Sequence, residues 1–257
     1  MGDQITTSEV TEDIQGYTVD EVLSRAGVSG IVQAVVHINV FLLLLTTGCQ
    51  VGMVFFTGYS PPWKCGAVMN NGFCNVHRNV TFTVDMEMFN YRCRLNRTEW
   101  IYAATQNQHS VVTEFDLVCD KSSTAALMAT MYYVGSTIGA LFGGPVGDAY
   151  GRKPIIVLSL VLTLGTSIAL SYSHKIWEIC LGQFLRGIGS SGNLYPVLVY
   201  LSEISPPKFR STASNIALLI NCLSFLLMDM MAYVLDTWRE LSFYFGLIGT
   251  LLLLLRG

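Results

Sequence analysis

The stretch Gly144-Pro145-Val146-Gly147-Asp148-Ala149-Tyr150-Gly151-Arg152-Lys153-Pro154 closes one long uncharged window, Ser122 to Gly147, and opens another, Pro154 to Ser173. Each window is long enough to cross a bilayer as a helix. The link between them holds one acid and two bases, so it reads as a tight, charged turn at a membrane edge. Gly135, Gly139, Gly143, Gly147 and Gly151 recur every four residues and line one helix face. Glycine lets helix backbones touch, and a carboxylate at a helix end can face the N-terminus of another helix. Either a sliding gate or a static packing seam fits that pattern.

Working outward, the same rhythm recurs. No charge lies between Arg25 and Lys64, and about Val32 to Phe56 makes helix 1. Helices 2 and 3 are the two windows above. Helix 4 runs from about Trp177 to Leu201, helix 5 from Thr212 to Leu235, and helix 6 from Leu241 to Leu255. Across the 257 residues 51% are hydrophobic and 13% charged, against about 25% charged in a soluble domain. The reading is an all-α polytopic membrane protein with six transmembrane helices. Its parts are a tail at 1–30, a first span at 31–57, an insertion at 58–121, and five more spans over 122–257 with the charged link at 144–154. The acidic tail lacks the basic region and cleavage site of a signal peptide, so the first span is retained as an anchor.

The insertion is polar and holds Cys65, Cys74, Cys93 and Cys119 together with sequons at Asn79 and Asn96. Sequons are used on the lumenal side, and four cysteines in an oxidising space form two disulfides in one of three pairings. The insertion is therefore expected outside, with glycans on Asn79 and Asn96. The tail and the links at Arg152-Lys153 and Lys208-Arg210 are then cytoplasmic, and both links carry the positive charge that side favours.

The link matches the pattern Gly-x-x-x-Asp-x-x-Gly-Arg-Lys through Gly144, Asp148, Gly151, Arg152 and Lys153, and it resembles the signature loop of the major facilitator superfamily. Within that superfamily the chain resembles the organic cation, carnitine and organic anion transporters. The matching features are Val19-Asp20-Glu21-Val22-Leu23 with Gly27, Gly30 and Gln33, the cysteine-bearing insertion, Glu114-Phe115-Asp116-Leu117-Val118-Cys119-Asp120, Glu203 and Arg210, and Trp238-Arg239. The resemblance implies twelve helices in two rocking halves, of which this chain supplies the first six, with a further six-helix half expected in the full-length protein. It also implies a gate built from Gly144, Gly147, Asp148, Gly151, Arg152, Lys153, Glu203 and Arg210. Two departures stand out. The family usually has six cysteines in this insertion, whereas here there are four and Cys49 lies in helix 1. In helix 4 Gln183 precedes Arg186, the reverse of the usual order, although positions three apart still share a face.

Charged groups inside a membrane helix are costly and mark polar pathways, which singles out Arg186 and Asp229. Asp229 lies about 25 Å along helix 5 at about 1.5 Å per residue, near the outer face. Tyr132 and Tyr133 could hold an ammonium group by cation-π contact if they face a cavity. Asn193 and Tyr195 sit between Gly187, Gly189, Gly192 and Pro196, where a helix bends readily. His37 and Asn39 are further polar groups in helix 1.

Basic residues form no dense cluster, which sets nucleic acid aside as a partner. The sequence contains no nucleophile with its base, no metal-ligand set and no phosphate loop, so neither an enzyme nor a nucleotide-driven pump is supported, and no cofactor is expected. The expected function is alternating-access transport of a small organic ion, a cation or a zwitterion such as carnitine, in the plasma membrane with the N-terminus cytoplasmic. The partners are the lipid bilayer and the solute. Alternatives are a truncated, non-transporting membrane glycoprotein or partner protein, and an organic anion or sugar porter.

Overall fold

The computed structural model describes residues 31–66, 72–77, 80–84, 86–103, 110–205, 209–235 and 237–254. The tail at 1–30, Asn79 and Lys208 lie outside the described residues.

Six long helices form the body among these residues: α1 (Ile31–Thr57), α2 (Ser122–Tyr150), α3 (Arg152–Ser171), α4 (Ile176–Ile204), α5 (Arg210–Val234) and α6 (Trp238–Leu254). By length and composition α1, α2, α3 and α5 can cross a membrane. The other two are less uniform. α4 interrupts its apolar sequence with Glu178, Arg186 and Glu203, and α6 has 17 residues. α4 is central, lying along α2 and α3 and touching α1 and α5, while α5 lies along α1 and α6 along α3.

The α2–α4 contact is where the glycine spacing acts. A Cβ on Gly135 would overlap the carbonyl of Phe184, one on Gly139 that of Ile188, and one on Gly187 that of Tyr132. Two backbones approach this closely only where side chains are absent. The face that could have slid against an opposite half thus packs on α4 at Gly135, Gly139 and Gly143, which fits the packing-seam alternative there. Gly151, at φ +92°, breaks the chain between α2 and α3 in a conformation that L side chains rarely adopt.

The all-helical expectation needs one amendment. Residues 58–121 carry a three-stranded antiparallel sheet, β1 (Trp63–Cys65), β2 (Thr81–Phe82) and β3 (Trp100–Tyr102), in the order β2-β1-β3. Strands of two or three residues are too short for a period-2 pattern to show. Disulfides join Cys65 to Cys74 and Cys93 to Cys119, which selects one of the three pairings. Trp63, Phe82 and Trp100 form a buried core that continues into Met128 of α2, Leu170 of α3, Ile179 of α4 and Trp238 of α6. The insertion is therefore seated on one end of the bundle and shares its hydrophobic interior, which so small a sheet needs for stability.

Candidate functional site

At the bundle end away from the insertion, three helix termini bring charges together. Asp148 lies in the last turn of α2, Arg152 begins α3 and Glu203 lies in the last turn of α4. Arg152 Nη2 lies 2.6 Å from Asp148 Oδ1 and 3.3 Å from Glu203 Oε1. The Arg152 side chain is 22% exposed, whereas Asp148 is 63% exposed. Arg210, the first residue of α5, donates from Nε to the Ser202 carbonyl at 2.9 Å, tying α5 to the end of α4. Gly147 lies against Ile155, and the space a side chain would fill at Gly144 is open. Lys153 is exposed and has no ion-pair partner among the described residues.

Deeper in the bundle a polar ladder joins α1 to α4. Its rungs are Gln183 Nε2 donating to Thr57 Oγ1 at 3.3 Å and Asn193 Nδ2 donating to Thr47 Oγ1 at 2.7 Å. Both pairs are separated by ten residues along their helices, about 15 Å at about 1.5 Å per residue. Between the rungs, Arg186 Nη2 donates to Gln183 Oε1 at 2.6 Å and its guanidinium lies 5.8 Å from the Tyr132 ring centre. The Tyr132 hydroxyl meets Ser190 Oγ at 2.8 Å, and Ser167 donates to Gln50 Oε1 at 2.7 Å. Gln183, Arg186, Ser190 and Asn193 follow at steps of three, four and three, so the helical period places them all on one face of α4.

The residues expected along a solute pathway divide into two groups. Tyr132, Arg186 and Asn193 converge on the ladder and are buried, Arg186 completely. Tyr133 and Tyr195 are 48% and 51% exposed on outer helix faces. Asp229 is exposed on α5, five residues before that helix ends. Asn96 is exposed, and the buried Cys49 thiol donates to the Ser224 carbonyl at 3.3 Å. His37 contacts Ser205 at 3.0 Å, joining the start of α1 to the end of α4.

Two arrangements escaped the sequence reading. The first is the ladder's α1 side, Thr47, Gln50 and Thr57; their helical spacing was the available signal. The second is at the insertion end, where Glu114 accepts from Arg239 Nη2 at 2.6 Å and from the Trp238 indole at 2.7 Å. In the insertion, Arg97 Nε pairs with Asp116 at 3.0 Å, and Tyr102 donates to Asp116 at 2.9 Å. Burial, and the hydrogen bond to Asp116, push the Tyr102 phenol well above its usual range.

The profile of the Major Facilitator Superfamily matches residues 113–256. Curated relatives include organic cation/carnitine transporter 5 of Arabidopsis thaliana, 28% identical over 242 residues, covering 93% of this chain and 43% of that protein. Organic cation/carnitine transporter 6 of the same plant is 26% identical over 206 residues, 79% of this chain and 37% of that protein. Organic anion transporter 3 of Homo sapiens is 29% identical over 145 residues, 56% of this chain and 26% of that protein. The chain thus spans less than half the length of these relatives.

Proposed function

The chain belongs to the Major Facilitator Superfamily, and on that premise we propose that it is the first six-helix half of a plasma-membrane transporter for small organic ions, working by alternating access. The six long helices are read as six crossings, the insertion as extracellular and the tail as cytoplasmic. The preferred solutes are organic cations or zwitterions, in keeping with relatives named organic cation/carnitine transporters.

One observation carries this reading: Arg152 bridges Asp148 and Glu203 at the meeting point of α2, α3 and α4. Three helix ends held by exposed and half-buried charges at 2.6 and 3.3 Å form a contact that opens without exposing a core. An exposed ion pair is worth about 0.2–1 kcal/mol, so a binding event can switch it. Gly144, Gly147, Gly151, Lys153 and Arg210 shape and flank that contact, and the buried ladder with Tyr132, Arg186 and Asn193 lies farther along the same central helix.

The test is uptake of radiolabelled tetraethylammonium, carnitine and p-aminohippurate by cells expressing the longest open frame that contains this chain. Saturable uptake of one of the first two above untransfected cells is the expected result. Surface-localised protein with no saturable uptake of any of the three counts against it.

A further inference from the structure

Arg186 is completely buried, yet two of its guanidinium nitrogens, Nε and Nη1, have no hydrogen-bond partner among the described residues. Three other arginines have acids: Arg152 has Asp148 and Glu203, Arg239 has Glu114, and Arg97 has Asp116; Arg92, buried in the insertion, instead donates to Ser60 and lies over the Phe89 and Trp100 rings. No carboxylate among the described residues contacts Arg186, whose partners are the Gln183 carbonyl oxygen and the Tyr132 ring. Arginine does not shed its proton to escape burial, so the charge persists and requires compensation. Among the described residues the same ladder leaves Gln50 Nε2 unpaired as well, giving three unused donor atoms against one unused acceptor, Asn193 Oδ1.

We propose that Arg186 is the binding residue of an anion site inside the bundle, taking a single small negative charge: the carboxylate of a solute or a free halide. Both present one charge and accept N–H donors. The Gln183 carbonyl oxygen, bonded to Nη2 at 2.6 Å, is the group an incoming anion displaces. The Thr57–Gln183 rung, at 3.3 Å the longer of the two, is the contact that yields as Gln183 turns. The solute arm of this proposal rests on the transport reading above and makes carboxylate-bearing ions the substrate class; the anion site itself does not depend on transport.

The experiment uses the full chain in phosphatidylcholine nanodiscs, with melting followed by tryptophan fluorescence. Glycine betaine is compared with choline, which has the same cationic head and no carboxylate, and sodium chloride with sodium isethionate, a bulkier anion. A saturable rise of roughly 5 °C with betaine over choline assigns the site to a solute carboxylate. A similar rise confined to chloride over isethionate assigns it to a halide. In either case Arg186→Gln should abolish the rise, and Arg186→Lys, with the charge but fewer donors, should need at least about tenfold more ligand. A wild-type melting point indifferent to all four solutes overturns the proposal without recourse to a variant, as does a rise that survives in folded Arg186→Gln. Uptake separates the two claims: absence of saturable uptake of tetraethylammonium, carnitine and p-aminohippurate counts against transport, while the melting data still decide the anion site.

Discussion

Arg239, in the first turn of α6, meets Glu114, 125 residues earlier in the chain, at 2.6 Å. The same carboxylate accepts the indole N–H of Trp238 at 2.7 Å, and Arg239 reaches the Ser171 carbonyl at the end of α3 at 3.0 Å. Insertion, α3 and α6 are thereby tied at one point. Because Trp238 is 1% exposed, removing its acceptor leaves a buried donor without a partner.

Glu114→Ala should therefore destabilise the protein by about 1–3 kcal/mol, the range for losing a hydrogen bond to a charged group and stranding its donor. The double variant with Arg239→Ala should be less harmful than the sum of the two, by about 0.5 kcal/mol or more. Melting of the four proteins in detergent is the measurement. Strict additivity would show that the two side chains act independently.

Close packing between α2 and α4 predicts a contrast between two glycines. Gly139→Ala forces a methyl into the Ile188 carbonyl and should cost about 1–3 kcal/mol. Gly144→Ala meets open space and should change stability by no more than about 0.5 kcal/mol. Equal losses at both positions would mean that the seam is not what holds these helices together.

For the insertion, expression in mammalian cells should yield protein whose gel mobility increases after glycosidase treatment, and Asn96→Gln should remove part of that shift. Without reductant, a membrane-permeant maleimide should label Cys222, which is exposed, and leave Cys65, Cys74, Cys93 and Cys119 untouched. Unaltered mobility together with labelling of those four would place the insertion in a reducing, unglycosylated compartment.

α1, α2 and α3 were legible because each reports itself through a run of twenty or so uncharged residues, α4, α5 and α6 through shorter apolar runs broken or bounded by Arg186, Asp229 and Glu240, and the α2–α3 turn because Gly151 and its flanking charges sit at the break. What stayed hidden depends on which helices meet. Arg186, singled out as marking a polar pathway, is buried, but nothing local to α4 shows that Tyr132 of α2 is its neighbour. Cysteine parity gave two disulfides and left the pairing open, since pairing is a property of the folded insertion. β1, β2 and β3 carry no readable alternation at two or three residues each. Tyr133 and Tyr195 could not be told from Tyr132 and Asn193, because burial on a membrane helix depends on the partner helix as well as on residue type.

The central claim is that the Asp148–Arg152–Glu203 cluster switches during transport, and Asp148→Asn tests it most directly. The substitution keeps the side-chain volume and removes the charge, while Glu203 still holds Arg152 at 3.3 Å, so Arg152 is not stranded and folding should survive. An exposed pair of this kind contributes only about 0.2–1 kcal/mol to stability. Uptake of the transported radiolabelled ion, divided by surface protein from biotinylation, should fall by about two- to fivefold, equivalent to about 0.5–1 kcal/mol in the switching equilibrium, with surface abundance near wild type. Unchanged uptake per surface molecule, or a loss fully matched by lost surface protein, would contradict the account and leave the cluster as a device that only folds the turn.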